Sequence, residues 1–393
     1  MHGVDASGCN QVASHHGQAM VRSAHPCSGR QMMRWRWQTR ARRDLLVVAW
    51  ANGELAYLRA HRRADGNFEV LQAGVLQQDG QDRSALTGRL EALGLKGCRA
   101  HVMLRPGQYQ WLQIAAPGVP PQELRAAARF QIRDLLDTHV DDVTIDILRV
   151  GDGQARGSEH LFVVAALNRV LQETMALAVA MRWTVPVIEV QETAQRNLQN
   201  ALHGAAGQRQ LAHAALVLAD PSVALLTVSC NEELFYVRGI EMPRGFLTAH
   251  WGSADAVAPQ SRIDPYALVE EYVPAYASDA MLESSAAPRM SEEVGPGRAA
   301  EPDSDEAQRF LVEVQRSLDV WERSWSSLPL ATVRVYAGDR TDEFAQWLAR
   351  GLGMRVETLD PLPMFSGFGA DEPLPAACWP LLGMLLRGDE RRF

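Results

Sequence analysis

Residues 100–166 read AHVMLRPGQYQWLQIAAPGVPPQELRAAARFQIRDLLDTHVDDVTIDILRVGDGQARGSEHLFVVAA, and this stretch decides the fold that the sequence predicts. It contains four apolar runs of strand length, at 100–105, 109–115, 143–150 and 160–166. Pro106-Gly107 between the first two is typical of a tight turn. Pro120-Pro121 begins a segment whose apolar residues recur every three or four positions, which indicates a helix. The predicted order is therefore strand, strand, helix, strand, strand.

The chain on either side of this stretch alternates strand and helix signals and divides into two lobes. Apolar runs before and after Asn52-Gly53 predict a β-hairpin, because this dipeptide favours a two-residue turn. A second apolar run, at 214–219, is followed by Asp220 and begins another predicted hairpin. We expect a first lobe over 45–210, which includes an inserted module at 100–166, and a second lobe over 211–393.

Two segments have a composition unlike the rest of the chain. Residues 1–43 carry seven arginines and one aspartate, and residues 252–305 carry eleven acidic residues and three arginines. Such segments bury too little apolar surface to offset the entropy of ordering. We expect a disordered basic tail over 1–44 and a flexible acidic insertion over 252–305.

The composition excludes several classes of protein. The 393 residues have a net charge of −8, which argues against a protein that coats nucleic acid with its whole surface. Lys96 is the sole lysine and is followed by glycine, so a Walker-type phosphate-binding loop is excluded. The five cysteines form no CxxC pair, and neither a disulfide framework nor a metal site is expected. The longest apolar runs have seven residues or fewer, so we expect a soluble protein without a transmembrane segment.

Four segments, in their order, resemble the PilM branch of the actin-like ATPase superfamily, which serves type IV pilus assembly. The segments are Gln110–Leu124, Phe130–Asp137, Leu161–Ala166 and Glu313–Leu318. The second is similar in particular to MshI of the mannose-sensitive haemagglutinin pilus. The resemblance spans about residues 45–390 with a gap at the acidic insertion. It implies an α/β, actin-like (ribonuclease H-like) two-lobed fold with an inserted strand–helix–strand–strand module.

The resemblance also implies where nucleotide would bind. Actin-like ATPases hold phosphates in two hairpins, each with an acidic residue and glycines that let backbone N–H groups approach the oxygens. Ala49 and Ala51 stand where the first hairpin has its aspartate and glycine. In the second hairpin Asp220 is retained, but Ser222 belongs to a pair that replaces the family's hydrophobic residue and glycine. In the third element Gly338 keeps one of two glycines, and Asp339 puts a carboxylate where the adenosine would lie. The degenerate nucleotide-binding set that the resemblance implies is therefore Asp220, Ser222, Gly338 and Asp339. A site that binds ATP and magnesium weakly and a retired site, that of a pseudo-ATPase without catalytic residues, both remain open.

A partner follows from the same resemblance. In the family, the short cytoplasmic tail of a single-pass PilN-like inner-membrane protein lies against the first lobe and the inserted module. We expect such a tail in the cleft between this module and the strands that begin at Leu45, and contacts with other platform proteins. Arg125, Arg129 and Arg133 recur every four residues and are candidates for contacting tail carboxylates or lipid headgroups, or form a merely solvated stripe. The expected location is cytoplasmic, peripheral at the inner membrane.

Three alternatives compete with this interpretation. One is an active ATPase or sugar kinase of the same superfamily, against which Ala49 and Ala51 speak. A second is the cytoplasmic portion of a type II secretion platform protein. The third is nucleic-acid or membrane binding by the basic tail, where Trp35 and Trp37 alternate with arginines.

Overall fold

The computed structural model describes residues 44–51, 53–78, 83–150, 160–207, 211–248, 251, 305–369 and 373–388. The predicted basic tail, except residue 44, and the predicted acidic insertion, except residue 305, lie outside the described residues.

Strands and helices alternate through the described residues. The strands are β1 (Asp44–Ala51), β2 (Glu54–Arg62), β3 (Phe68–Gln77), β4 (Arg99–Leu104), β5 (Tyr109–Ala115), β6 (Val143–Arg149), β7 (His160–Leu167), β8 (Thr184–Val190), β9 (Ala212–Val217), β10 (Val223–Cys230), β11 (Glu233–Glu241), β12 (Leu330–Tyr336), β13 (Val356–Thr358) and β14 (Phe365–Ser366). The helices are α1 (Arg83–Ala92), α2 (Leu124–Ile132), α3 (Asn168–Ala180), α4 (Gln191–Ala205), α5 (Asp305–Ser324), α6 (Thr341–Leu352) and α7 (Leu381–Leu385).

The first sheet has the strand order β14-β3-β2-β1-β4-β8 among the described residues. The predicted hairpin is confirmed: β1 and β2 pair antiparallel, and Gly53 closes the turn with a φ of +74°. β4 and β8 continue the sheet in parallel to β1. Because parallel strands share one direction, β1, β4 and β8 all end at the same edge of this sheet.

The inserted module is a three-stranded antiparallel sheet of order β5-β7-β6 with α2 on one face. Its boundary differs from the predicted module 100–166, because β4 pairs with β1 and β8 in the first sheet. Every residue of β4 after Arg99 is buried, as expected of a strand covered on both faces. The module therefore begins after Leu104.

The second sheet has the order β11-β10-β9-β12-β13, with β9 and β12 parallel at its centre. α5 and α6 cover one face of this sheet and contribute apolar side chains to one cluster with it. Phe310, Val314, Leu318 and Trp321 of α5 are all buried, which agrees with their helical spacing.

The C-terminal segment returns to the first sheet, although the predicted boundary assigns 211–393 to the second lobe. β14 pairs with β3, and α7 packs against α4 and the first sheet. All five residues of α7 are buried, and no amphipathic pattern marks them for one lobe or the other. Leu381 and Leu382 share a single apolar cluster with residues of both sheets, such as Val47 and Val217.

Candidate functional site

The first hairpin contains a buried alanine at the position where the sequence resemblance implies an aspartate. Ala49 is fully buried and belongs to an apolar cluster with Val47, Met103 and Leu382. A carboxylate at this position would lose its hydration among these side chains. Ala51, at the end of β1, is partly exposed. Neither side chain can coordinate a cation or accept a hydrogen bond.

The second hairpin uses its aspartate to close its own turn. Asp220 Oδ1 accepts hydrogen bonds from the Ser222 backbone N–H at 2.8 Å, the Ser222 hydroxyl at 2.6 Å and the Val223 N–H at 3.2 Å. This is the side-chain-to-backbone pattern by which aspartate stabilises tight turns. The carboxylate therefore satisfies donors that a phosphate-binding loop would present to its ligand.

The third element follows β12 and lies beside the second hairpin. The Leu218 N–H donates to the carbonyl of Tyr336 at 2.8 Å, so the turns after β9 and β12 emerge at the same edge of the sheet. Gly338 has a φ of +63°, and the Thr341 hydroxyl donates to its carbonyl at 2.6 Å. Asp339 is exposed. The structure thus brings Asp220, Ser222, Gly338 and Asp339 to one edge of this sheet.

Aromatic and apolar side chains fill the region between this edge and the first sheet. Tyr336 stacks on Trp379 with ring centroids 4.1 Å apart, and both are buried. Burial, with smaller contributions from Asp339 and Cys378, raises the pKa of the Tyr336 hydroxyl above its usual range. Cys378 is buried beside them, and its Sγ contacts the carbonyls of Tyr57 and Gly74. The C-terminal segment thus packs firmly onto both sheets at this point.

A cavity of about 700 Å³ lies elsewhere, where the module meets the two sheets. Its walls are β6 and β7 of the module, the end of β8, the outer face of α4, the β10–β11 turn and residues 386–388. A volume of this size is typical of sites that bind a small molecule or a few side chains of a peptide. Apolar side chains such as Ile188 and Leu234 alternate with polar ones along the walls.

A buried carboxylate lies in the wall of this cavity. The Glu189 side chain is 2% exposed, and its Oε2 is 3.2 Å from the Arg387 guanidinium. Asn197 Nδ2 donates to Glu189 Oε1 at 3.1 Å. These two contacts balance the negative charge, which explains how a carboxylate is tolerated at this depth. His101 is also buried close to Arg387, and burial with the nearby arginines lowers the pKa of its imidazole to about 4.

A second buried carboxylate joins the module to α4. Tyr109, at the start of β5, donates a hydrogen bond from its hydroxyl to Glu192 Oε2 in the first turn of α4. Burial raises the pKa of Glu192 to about 7, although the tyrosine hydrogen bond acts in the opposite direction. The charge of this carboxylate therefore changes near neutral pH, at the point where the module is attached.

The predicted arginine stripe lies on the opposite face of the module sheet from the cavity. α2 packs on the face that carries Ile145 and Val163, whereas Val164 faces the cavity. Arg125 pairs with Asp146 at 2.8 Å, and Arg133 pairs with the adjacent Asp134. These pairs are exposed and contribute little to stability.

Arg129 differs from its two neighbours in the stripe. Its guanidinium donates to the carbonyl of Val140 at 2.6 Å and pairs with Asp141 at 2.9 Å. This arginine thus holds the loop that follows α2, so its side chain has a structural role in the module.

The cleft beside β1, where the partner tail is predicted, contains a smaller cavity. It has a volume of about 370 Å³ and is lined by Trp50, Gly53 and Thr174 among others. Gln108 bridges this junction, because its Nε2 donates to the carbonyl of Trp50 at 2.7 Å. The larger opening along the module therefore borders β8 and α4 instead of β1.

Within the described ranges, no three histidine, cysteine or acidic side chains are placed to share a metal ion. In the same ranges, no helix combines the length and the apolar character needed to cross a bilayer. The described cysteines, Cys98, Cys230 and Cys378, are buried free thiols.

Sequence reasoning missed the polar residues around the larger cavity. Glu189 comes at the end of a strand and Glu192 at the start of the following helix, which is a common place for functional side chains. Arg387 could not have been found in this way, because it reaches Glu189 from the far end of the chain.

Comparison with known proteins supports the fold. No family model and no curated protein matches the chain. A solved structure described as the PilM-PilN type IV pilus biogenesis complex matches with a TM-score of 0.56 at 14% identity, over 88% of this chain and 99% of that chain. A Bacteroides thetaiotaomicron protein of unknown function with an actin-like ATPase fold gives 0.43 at 6% identity, over 89% and 98%.

The cytoplasmic domain of EpsL, an inner-membrane component of the Vibrio cholerae type II secretion system, gives a TM-score of 0.36 at 13% identity, over 50% of this chain and 71% of that one. At these identities, the similarity describes the fold. The fold is α/β and actin-like, and this prediction is confirmed.

Proposed function

We propose that this protein is a scaffold of a type IV pilus inner-membrane platform, of the MshI kind within the PilM-like proteins. In this proposal it is cytoplasmic and binds the cytoplasmic tail of a PilN-like protein, which holds it at the membrane surface. It also contacts other platform proteins. The support is an actin-like fold shared with a chain of the PilM-PilN complex, together with a cavity at the junction of the module and the two sheets.

The cavity is the observation on which the proposal depends most. β6 lines one side of it, it is partly apolar, and a buried Glu189–Arg387 pair lies in its wall. Such a preformed groove suits an extended peptide, which gains affinity from main-chain hydrogen bonds and specificity from side-chain pockets. The partner tail is therefore proposed to occupy this cavity, on the β8 side of the module.

We further propose that the nucleotide site has lost its function. Ala49 lies in an apolar cluster, and the Asp220 carboxylate is occupied by its own turn. ATP with magnesium should then bind no more tightly than about millimolar, which corresponds to about −4 kcal/mol. Calorimetric titration tests this proposal, and a micromolar dissociation constant that Asp220→Ala abolishes would contradict it.

Binding of the partner is tested by co-sedimentation with membranes that contain the PilN-like protein. Ile188→Asp places a charge in the cavity wall and should remove the protein from the membrane pellet. Val179→Asp is the matched control, because Val179 is an exposed apolar residue of α3 that does not line the cavity. Retention of the Ile188→Asp variant would contradict the proposed site.

The arginine stripe is proposed to add affinity from outside the cavity, through lipid headgroups or carboxylates of the tail. Arg133→Glu is the informative change, because Arg133 is exposed and contacts only side chains of its own helix end among its described partners. Charge reversal should weaken the sedimentation with anionic vesicles while the melting temperature is unchanged. Sedimentation that depends on residues 30–43 alone would assign the anchoring role to the basic tail.

A further inference from the structure

We propose that the outer edge of β6 is a docking strand, to which the partner segment adds as a fourth strand of the module sheet. This inference rests on the proposed function and specifies how the partner is recognised. β6 is the last strand of the order β5-β7-β6, and within the described part of the chain its other edge pairs with no strand. Unpaired strand edges are ready templates for an extended peptide.

The hydrogen-bond pattern shows which groups of β6 face outward. The Val150 N–H donates to the carbonyl of His160 on the β7 side, so alternate residues of β6 pair with β7 and the others point away. The backbone groups of Val143, Ile145, Ile147 and Arg149 are therefore the ones that point away from β7. Two contacts agree with this assignment: the Ile147 N–H donates to a side chain, and the Val143 carbonyl accepts from Arg129.

Asp146 protects this edge in the free protein. Its Oδ1 accepts the Ile147 N–H at 3.0 Å and also pairs with Arg125 at 2.8 Å. The side chain is 67% exposed, so it can rotate away at little energetic cost when a strand arrives. Charged side chains at sheet edges commonly prevent unwanted strand pairing, and Asp146 lies in the middle of β6.

The surroundings of the edge favour a single peptide strand over a second folded copy. Thr144, Asp146 and residues 147–149 line the cavity, whose opposite walls are α4 and the β10–β11 turn. A single added strand lies about 5 Å from its neighbour in a sheet and therefore fits such a recess. A second copy of the protein would have to place an entire module sheet there, which is too large for the recess. Seven residues of β6 span about 23 Å, which matches a segment of five to seven residues.

The cavity also defines the side chains of the peptide. Leu148 and Val164 lie on the face of the module sheet that turns toward the cavity, and Ile188 lies across from them. Because side chains of a strand alternate between faces, every second residue of the bound segment would point into this apolar region. The expected partner is therefore an extended segment with apolar residues at alternate positions.

The first test uses a synthetic peptide with the sequence of the cytoplasmic segment of the PilN-like protein from the same genome. Single backbone N-methyl groups are placed along it, and binding to the full-length protein is measured by calorimetry. Strand addition predicts that N-methylation weakens binding at least tenfold at every second position and less than twofold between. A uniform response would overturn the docking strand while leaving the proposed function intact.

The second test changes the protein. Arg149→Pro removes an outward N–H without touching the bonds to β7, and Arg149→Gln removes the charge but keeps the N–H. The first should weaken binding at least tenfold and the second less than twofold, with similar circular dichroism. Equal loss in both variants would assign the contact to the guanidinium and overturn the proposal. If Arg149→Pro fails to fold, the N-methyl series decides alone.

Because the Asp146 carboxylate accepts the Ile147 N–H, its removal should strengthen peptide binding, whereas the variants above weaken it. Asp146→Ala frees the Ile147 N–H for the incoming strand and should tighten binding about threefold to tenfold. Arg125→Ala is the control, because it removes the ion-pair partner of Asp146 and leaves the hydrogen bond to the edge in place. Unchanged or weaker binding in Asp146→Ala contradicts the proposal. If the unmodified peptide does not bind at all, the proposed function fails together with it.

Discussion

The carboxylate of Glu192 should make the stability of this protein depend on pH around neutrality. Burial raises its pKa in the folded protein to about 7, from about 4.5 for an unburied glutamate. Its stabilising contribution is therefore complete below pH 4.5 and is lost as the pH rises through 7, because the folded state holds the proton more tightly than the unfolded state. The difference in pKa corresponds to about 3 kcal/mol.

Glu192→Gln is the perturbation that isolates this contribution. The amide oxygen of glutamine can still accept the hydrogen bond from Tyr109, but it never carries a charge. The free energy of unfolding of the variant minus that of the parent protein should increase by about 2 to 3 kcal/mol between pH 5 and pH 8.

Urea unfolding at several pH values provides the measurement, with circular dichroism as the signal. Glu322→Gln, at an exposed position of α5, controls for the loss of one negative charge. A difference between Glu192→Gln and the parent that stays constant from pH 5 to pH 8 would refute the reasoning. It would mean that the Tyr109–Glu192 pair does not hold the proton in the folded protein.

The remaining predictions concern close packing at Gly383, the apolar surroundings of Ala49 and the contacts of Arg129 in the module. Gly383→Ala should destabilise the protein by at least about 3 kcal/mol in urea unfolding, because an added Cβ would overlap a backbone carbonyl of α4; Gly388→Ala, in open space, should be within about 0.5 kcal/mol of the parent. Ala49→Asp introduces the aspartate that the sequence resemblance implies at this position, but it should lower the melting temperature without producing ATP binding in calorimetry, since the carboxylate would enter an apolar cluster. Arg129→Ala should destabilise the module by about 1 to 2 kcal/mol through the lost carbonyl contacts, and Arg133→Ala should not. If Gly383→Ala and Gly388→Ala were equally stable, the predicted overlap at Gly383 would be wrong. If Arg129→Ala and Arg133→Ala were equally stable, the predicted contribution of the Arg129 contacts would be wrong.

Much of the secondary structure follows from local patterns in the sequence. The Asn52-Gly53 turn between apolar runs predicts the β1–β2 hairpin, and the spacing of three or four residues between apolar side chains of α5 predicts its buried face. The sequence also shows that alanines occupy positions 49 and 51, on which the proposal of a degenerate nucleotide site depends. These conclusions depend on neighbours within a few positions, which the sequence displays directly.

The candidate site depends on contacts between distant residues. Arg387 reaches Glu189, and Asp146 meets Arg125 and its own strand edge because α2 folds back onto the module. Periodicity assigns a strand its faces but does not assign it a sheet, so the sequence could not show that β4 leaves the module.

By itself, the sequence determined the type of most elements, the presence of alanines at positions 49 and 51 and the resemblance from which the actin-like fold was predicted. The tertiary structure decided which strands are neighbours, where the C-terminal helix packs and that β6 ends the module sheet among the described residues. The physical reason is that hydrophobic patterning acts over a few residues, whereas strand pairing and burial of charge are settled by side chains that meet after the chain has folded.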